Sequence, residues 1–282
     1  MTETVALLAS CASAAVGALL VPVLTRALGQ AGLTRPNYRG RAAVFPTGLV
    51  LLGAGLGAVL ALVALGPILG APPPPALAAA VLLLVGVGLL GLVDDLGPDA
   101  GPRGVRGHLR AAAAGRHTTG VVKGAGTFVL ALLACSDPAL RGAGGALEGV
   151  LLPAALVTLG AHVFNLLDLR PGRSIKALVL LGGGLTLATL DLGPLQLLGP
   201  VIGPALALAP LDLRERGMLG DTGAGLLGAA AGLWLVLVLG PAAQLGALAL
   251  LALAATYGEF RSLSALVERV PLVRGLDSLG RN

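Results

Sequence analysis

Charge is scarce in this chain. Only 12% of its 282 residues are Asp, Glu, Lys or Arg, against about 25% in an average soluble domain. Aromatic residues are also scarce at 2%, so the Trp/Tyr belt that often marks a membrane interface is nearly missing. The two cysteines, Cys11 and Cys135, sit in or at the end of apolar runs and suggest neither a disulfide framework nor a metal site. No cation precedes the first apolar run, and Glu3 does, which reads as a retained helix rather than a cleaved signal. A clean internal repeat is also missing, which argues against an inverted-repeat transporter.

Long apolar stretches fill the space. Hydrophobic residues make up 56% of the chain, with 44 Gly and 19 Pro. About 20 apolar residues span the hydrocarbon core as a helix. The runs at 4–24, 44–66, 76–93, 119–136, 147–164, 177–191, 194–211, 220–239 and 242–258 therefore read as nine spans. The expected fold class is all-α: a polytopic transmembrane helical bundle, with residues 1–259 as the membrane domain and 260–282 as an amphipathic tail.

The cations set the expected orientation. Eighteen of the 19 Lys and Arg residues follow odd-numbered spans, and only Arg141 does not. The positive-inside rule then puts the N-terminus outside and the C-terminus in the cytoplasm of a cell-membrane protein. The same rule accounts for the net charge of +5, so no nucleic-acid partner is expected.

The carboxylates carry the chemistry. Asp94 and Asp95 close the third span. Two anions there face the negative end of the helix macrodipole and need a compensating cation. Asn165 and Asp168, at i and i+3, share one face where the fifth span ends. They lead into Arg170-Pro171-Gly172-Arg173-Ser174-Ile175-Lys176, whose three cations suit a polyanion. Asp221, in Gly220-Asp221-Thr222-Gly223, opens the eighth span at a favourable helix N-terminus. Three spans thus bring Asp94, Asp95, Asp168 and Asp221 to one membrane face. Carboxylate oxygens suit a hard cation, and Mg²⁺ typically bridges one or two of them to substrate phosphates. Asn165, Arg170, Arg173 and Lys176 are the expected substrate contacts.

In order and position these motifs resemble the polyprenyl-phosphate N-acetylhexosamine-1-phosphate transferases. That family includes the phospho-N-acetylmuramoyl-pentapeptide translocases and the undecaprenyl-phosphate GlcNAc-1-phosphate transferases. Asp94-Asp95 is similar to its Asp-Asp motif, Asn165-x-x-Asp168 to its Asn-x-x-Asp motif, and Gly220-Asp221-Thr222-Gly223 to its Gly-Asp-x-Gly motif. Arg35-Pro36 through Pro46-Thr47-Gly48 resembles its basic loop and the Pro-x-Gly start of its second span. The resemblance implies Mg²⁺-dependent transfer of a sugar-1-phosphate from a UDP-sugar to a polyprenyl phosphate, for cell-wall glycan synthesis. It implies catalytic roles for Asp94, Asp95, Asp168 and Asp221, with Asp221, Asp168 and Asp94 as the expected metal ligands, a substrate phosphate contact for Lys123 just inside the fourth span, and a homodimer.

Two features depart from the family. His162 stands where it has an Asn, and residues 259–282 hold no histidine where it has a His-rich loop before a tenth span. They leave the sugar open. The rival readings are a non-catalytic relative that binds the lipid carrier and a membrane transporter.

The tail is expected to be amphipathic. Leu263, Leu266, Val267, Val270 and Leu272 alternate with charges, and Pro271 should break the helix. The basic segment 101–117 is expected to be partly helical and to lie near the site or the lipid headgroups.

Overall fold

A computed structural model describes residues 2–68, 70, 72–97, 104–115, 118–142, 144, 145 and 148–281. Helices dominate it. In chain order they are α1 (Thr2–Gln30), α2 (Gly48–Leu65), α3 (Leu77–Asp95), α4 (Gly104–Ala113), α5 (Thr119–Cys135), α6 (Glu148–Leu167), α7 (Arg173–Thr189), α8 (Leu195–Leu213), α9 (Gly220–Val238), α10 (Pro241–Phe260), α11 (Leu263–Arg269) and α12 (Pro271–Ser278).

Each apolar run coincides with a helix. Seven of these are long and apolar enough to cross a membrane, namely α2, α3, α6, α8, α9, α10 and the Ser10–Gln30 part of α1. α5 and α7 have 17 residues each. At 1.5 Å per residue that is roughly 26 Å, slightly under the hydrocarbon thickness. Residues 44–47, expected to begin the second span, are not helical. Ala42–Val44 forms strand β2, paired antiparallel with β1 (Thr34–Pro36). Pro46 explains the delay, because it disfavours helical geometry in the residue before it. Of the basic segment, residues 101–103, 116 and 117 lie outside the described residues, and α4 accounts for much of the rest.

α9 is the centre of the bundle. Every residue from Thr222 to Val236 is buried. Such a helix can be surrounded only if its neighbours approach closely, and glycine permits that. A Cβ on Gly228 would meet the Ala161 Cα at 2.6 Å, and one on Gly232 the Val157 Cα at 2.5 Å. Gly91 of α3 lies against the backbone of Asp221 and Thr222. Gly48 of α2 lies against Gly223, and Gly182 of α7 against the Trp234 ring. α1 packs on α8 in the same way, with Gly203 against Ser13 and Ala14.

Leucines face outward around the rim. Leu19, Leu60, Leu187 and Leu250 are each at least 69% exposed. That outward apolar surface suits lipid and would be unfavourable in water. The chain is thus a helical, membrane-embedded protein.

One backbone zipper positions the candidate site. Val44 accepts from Met218 N–H and donates to the Arg216 carbonyl, both at 3.0 Å. Thr47 and Gly48 donate to the carbonyls of Met218 and Leu219 at 2.8 and 3.0 Å. The loop between α1 and α2 therefore runs along the segment that enters α9 and fixes where α9 starts.

Gly228→Val should crowd the α6–α9 contact and destabilise the bundle by about 1–3 kcal/mol. Gly246→Ala, on α10 with nothing among the described residues within 4 Å of an added Cβ, should instead raise the thermal unfolding temperature in detergent slightly, because alanine loses less backbone freedom in a helix.

Candidate functional site

The two adjacent acids at the end of α3 have separate partners. Asp95 is 6% exposed and turns onto the N-terminus of α9. Its Oδ1 accepts from the Asp221 N–H at 2.8 Å. Its Oδ2 accepts from the Thr222 N–H at 2.8 Å and from the Thr222 hydroxyl at 2.5 Å. The first N–H groups of a helix have no partner within it, and the macrodipole is positive there. A carboxylate from a neighbouring helix answers both. Gly220, at φ +69°, leaves the space, since a Cβ there would stand 2.6 Å from Asp95 Oδ2. Arg35 donates to the Asp95 carbonyl at 2.8 Å and stacks on Phe45, 4.4 Å from the ring centroid.

Asp94 turns to α5. The Lys123 ammonium, one turn into that helix, donates to Asp94 Oδ2 at 2.8 Å and also to Asp221 Oδ2. Lys123 thus sits between two carboxylates that belong to different helices. Their side chains are only 21% and 34% exposed and that of Lys123 19%, so water screens this attraction less than at an open surface. The cation that Asp94 needs at its helix end is Lys123.

Asp168 lies in a neighbouring recess. It accepts from the Ser174 hydroxyl at 3.2 Å. Burial first, then the charge of Asp212, pushes its carboxyl well above the usual carboxylate range. The recess has a volume of about 80 Å³, and Asn37, Tyr38, Asp168, Arg170, Asp212 and Glu215 supply its polar lining. Arg170 stacks 4.6 Å from the Tyr38 ring centroid, and the Tyr38 hydroxyl donates to Glu215 at 2.9 Å. Asn165 faces α9 near Gly225, and among the described residues its buried Oδ1 has no hydrogen-bond partner.

Arg173 and Lys176 are engaged by the tail. Arg173, 6% exposed, forms a two-pronged pair with Asp277, both contacts at 2.9 Å. Arg281 grips the same carboxylate at 2.7 and 3.0 Å. Lys176 donates to the Asp277 carbonyl at 2.6 Å. Partial burial alone would raise the Asp277 carboxyl, but the hydrogen bonds from Arg173 and Arg281 outweigh it and hold it down at about 2. Of the three cations expected to meet a polyanion, only Arg170 lines the recess.

The structure therefore brings together Asp94, Asp221 and Lys123, with Asp95 directly behind them. It does not place Asp168 in that cluster. Among the described residues, no group of three or more His, Cys, Asp or Glu stands close enough to hold a metal ion. The expected set of Asp221, Asp168 and Asp94 is divided between the Lys123 cluster and the recess. Thr222, Tyr38, Asp212, Glu215 and Asp277 were not anticipated as functional side chains. Thr222 had a signal in its motif, whereas the other four gain their roles only from distant partners.

Comparison with known proteins adds no identity. No family model matches the chain, and no curated protein matches it.

A depressed carboxyl stabilises above its unfolded value near 4, and the contribution fades as pH falls through about 2. Protection of α12 against hydrogen exchange, corrected for the intrinsic rate, should thus be constant from pH 8 to pH 5. Asp277→Asn should weaken the clamp and speed tryptic cleavage after Arg269 or Arg274 by about tenfold, equivalent to about 1.4 kcal/mol.

Proposed function

We propose that this protein transfers a sugar-1-phosphate from a UDP-sugar to a polyprenyl phosphate at the cytoplasmic face of the cell membrane, for cell-envelope glycan synthesis. The observation that supports it best is the convergence of the Asp94 and Asp221 carboxylates on one cationic position, held by Lys123. Two facing carboxylates at a membrane-domain end suit Mg²⁺, which commonly takes one or two protein carboxylates and completes its shell with water and substrate phosphate. Bound there, Mg²⁺ would neutralise charge on the diphosphate.

The chain's own residues do the rest. Lys123 turns from the carboxylates to a phosphate oxygen and adds a second positive charge to it. Asp95 holds the start of α9, so that Asp221 keeps its position. Asn165, Asp168 and Arg170 lie to one side, where the nucleotide sugar is bound. An oxygen of the lipid phosphate attacks the β-phosphorus of the UDP-sugar. The bond from that phosphorus to the bridging oxygen breaks, and UMP leaves. Such a transfer depends on positioning and charge neutralisation. N-acetylhexosamine-1-phosphate is the group that the resemblance favours, and a homodimer is its favoured assembly.

A second reading has its own support. Asp95 is fully used by α9, and Lys123 pairs with both Asp94 and Asp221. That arrangement also suits a non-catalytic relative that holds the lipid carrier.

Purified protein with Mg²⁺, undecaprenyl phosphate and a panel of UDP-sugars should release UMP. Asp221→Asn should reduce the rate by about 10³-fold, in line with removing a key electrostatic group, without loss of the folded peak in gel filtration. No UMP from any sugar, beside an active member of the resembled family and with retained binding of undecaprenyl phosphate, would leave the second reading. Lys123→Ala should make the metal position visible without turnover. Mg²⁺ should raise the unfolding temperature of that variant more than that of the wild type, and adding Asp94→Asn should remove the gain.

A further inference from the structure

α10 is long and apolar enough to cross a membrane, and its last residue is Phe260. Only Arg261 and Ser262 separate it from α11, so α11 and α12 emerge at the bilayer surface. Ser262 caps α11 by accepting from the Ala265 N–H at 3.2 Å. Pro271 opens α12 as its first helical residue, after an extended Val270.

The two sides of this hairpin differ. Its inner side is tied to the protein: Asp277 meets Arg173 and Lys176, Glu268 meets Arg170 at 3.7 Å, and Arg281 donates to the Pro171 carbonyl at 2.8 Å. Among the described residues the outer side packs on nothing. α12 has no buried residue, and Leu272 and Leu279 are 77% and 66% exposed. Leu272, Val273, Leu276 and Leu279 recur at helical spacing and form one apolar face. Arg261 and Arg269 are exposed on the same hairpin, and Arg274 is exposed on another side of α12. Both acids of the hairpin, Glu268 and Asp277, are paired on the inner side, which leaves the outer side cationic.

We propose that the outer face of α11–α12 is a docking surface for an anionic lipid leaflet. An apolar face flanked by arginines at a membrane boundary suits acyl chains below and anionic headgroups beside them. Charge argues against a second copy of the same face, since two cationic surfaces repel. Docking would also steady the α6–α7 turn, because the inner side of the hairpin clamps that turn through Arg170, Pro171 and Arg173.

The test places a reporter on the face. Leu272→Trp is made in the full-length protein and reconstituted into vesicles, with the parent protein subtracted, whose single Trp234 is 4% exposed. Phosphatidylglycerol brominated near the headgroup should quench the introduced indole at least twofold more than equally brominated phosphatidylcholine. Arg269→Gln with Arg274→Gln should abolish that preference. Quenching by aqueous iodide alone, with no effect of brominated lipid, would place the face in water and overturn the proposal. Equal quenching by both lipids would overturn its anionic selectivity. Lipid quenching that appears only after dilution into monomers would assign the face to a copy-to-copy contact instead.

Discussion

The Asp95 carboxylate on the first turn of α9 is the contact on which the rest of this end of the protein depends. It joins the end of one apolar helix to the start of another through three hydrogen bonds. Both helices gain. α3 would otherwise end in an uncompensated Asp95 anion, and α9 would present unpaired N–H groups in surroundings with little water to satisfy them. With that joint in place, Asp94 and Asp221 are brought to the same side and can share Lys123.

The joint requires close backbone approach. Gly91 lies one turn before Asp95 and touches the α9 backbone, Gly48 does the same from α2, and Gly220 leaves room for the carboxylate itself. The abundant glycine is therefore used where helices meet. Between helices in lipid the hydrophobic effect supplies little attraction, so packing and polar contacts carry the association. The buried length of α9 and the polar joint at its start are two parts of one arrangement.

Charges elsewhere at this end are handled by pairing. Glu215 takes Arg39 and the Tyr38 hydroxyl, Asp277 takes Arg173 and Arg281, and Asp212 accepts from the Gly172 N–H. A lone buried ion is strongly unfavourable, and removing one member of such a pair leaves the other exposed to that penalty. Arg173 and Lys176 are held by the tail for this reason. Their place beside Asp168 in the chain suggested a polyanion contact, but the nearest anion in space is an acid about a hundred residues later.

The apolar runs were legible because a membrane helix must be apolar over its whole length, a requirement on composition that needs no knowledge of neighbours. The clustering of Asp94 and Asp221 was also legible, because alternating spans return the ends of α3 and α9 to one face. The division of labour between Asp94 and Asp95 was not. The two are identical neighbours in the chain, and only the direction of each side chain decides which caps α9 and which meets Lys123. The position of Asp168 in a separate recess, and the capture of Arg173 by Asp277, likewise depend on packing between helices far apart in sequence. By itself the sequence determined a helical membrane protein with Asp94, Asp95, Asp168 and Asp221 gathered at one end. The tertiary structure decided which acids share a cation and which cations are already taken, because hydrogen bonds and ion pairs act over a few ångströms and depend on direction.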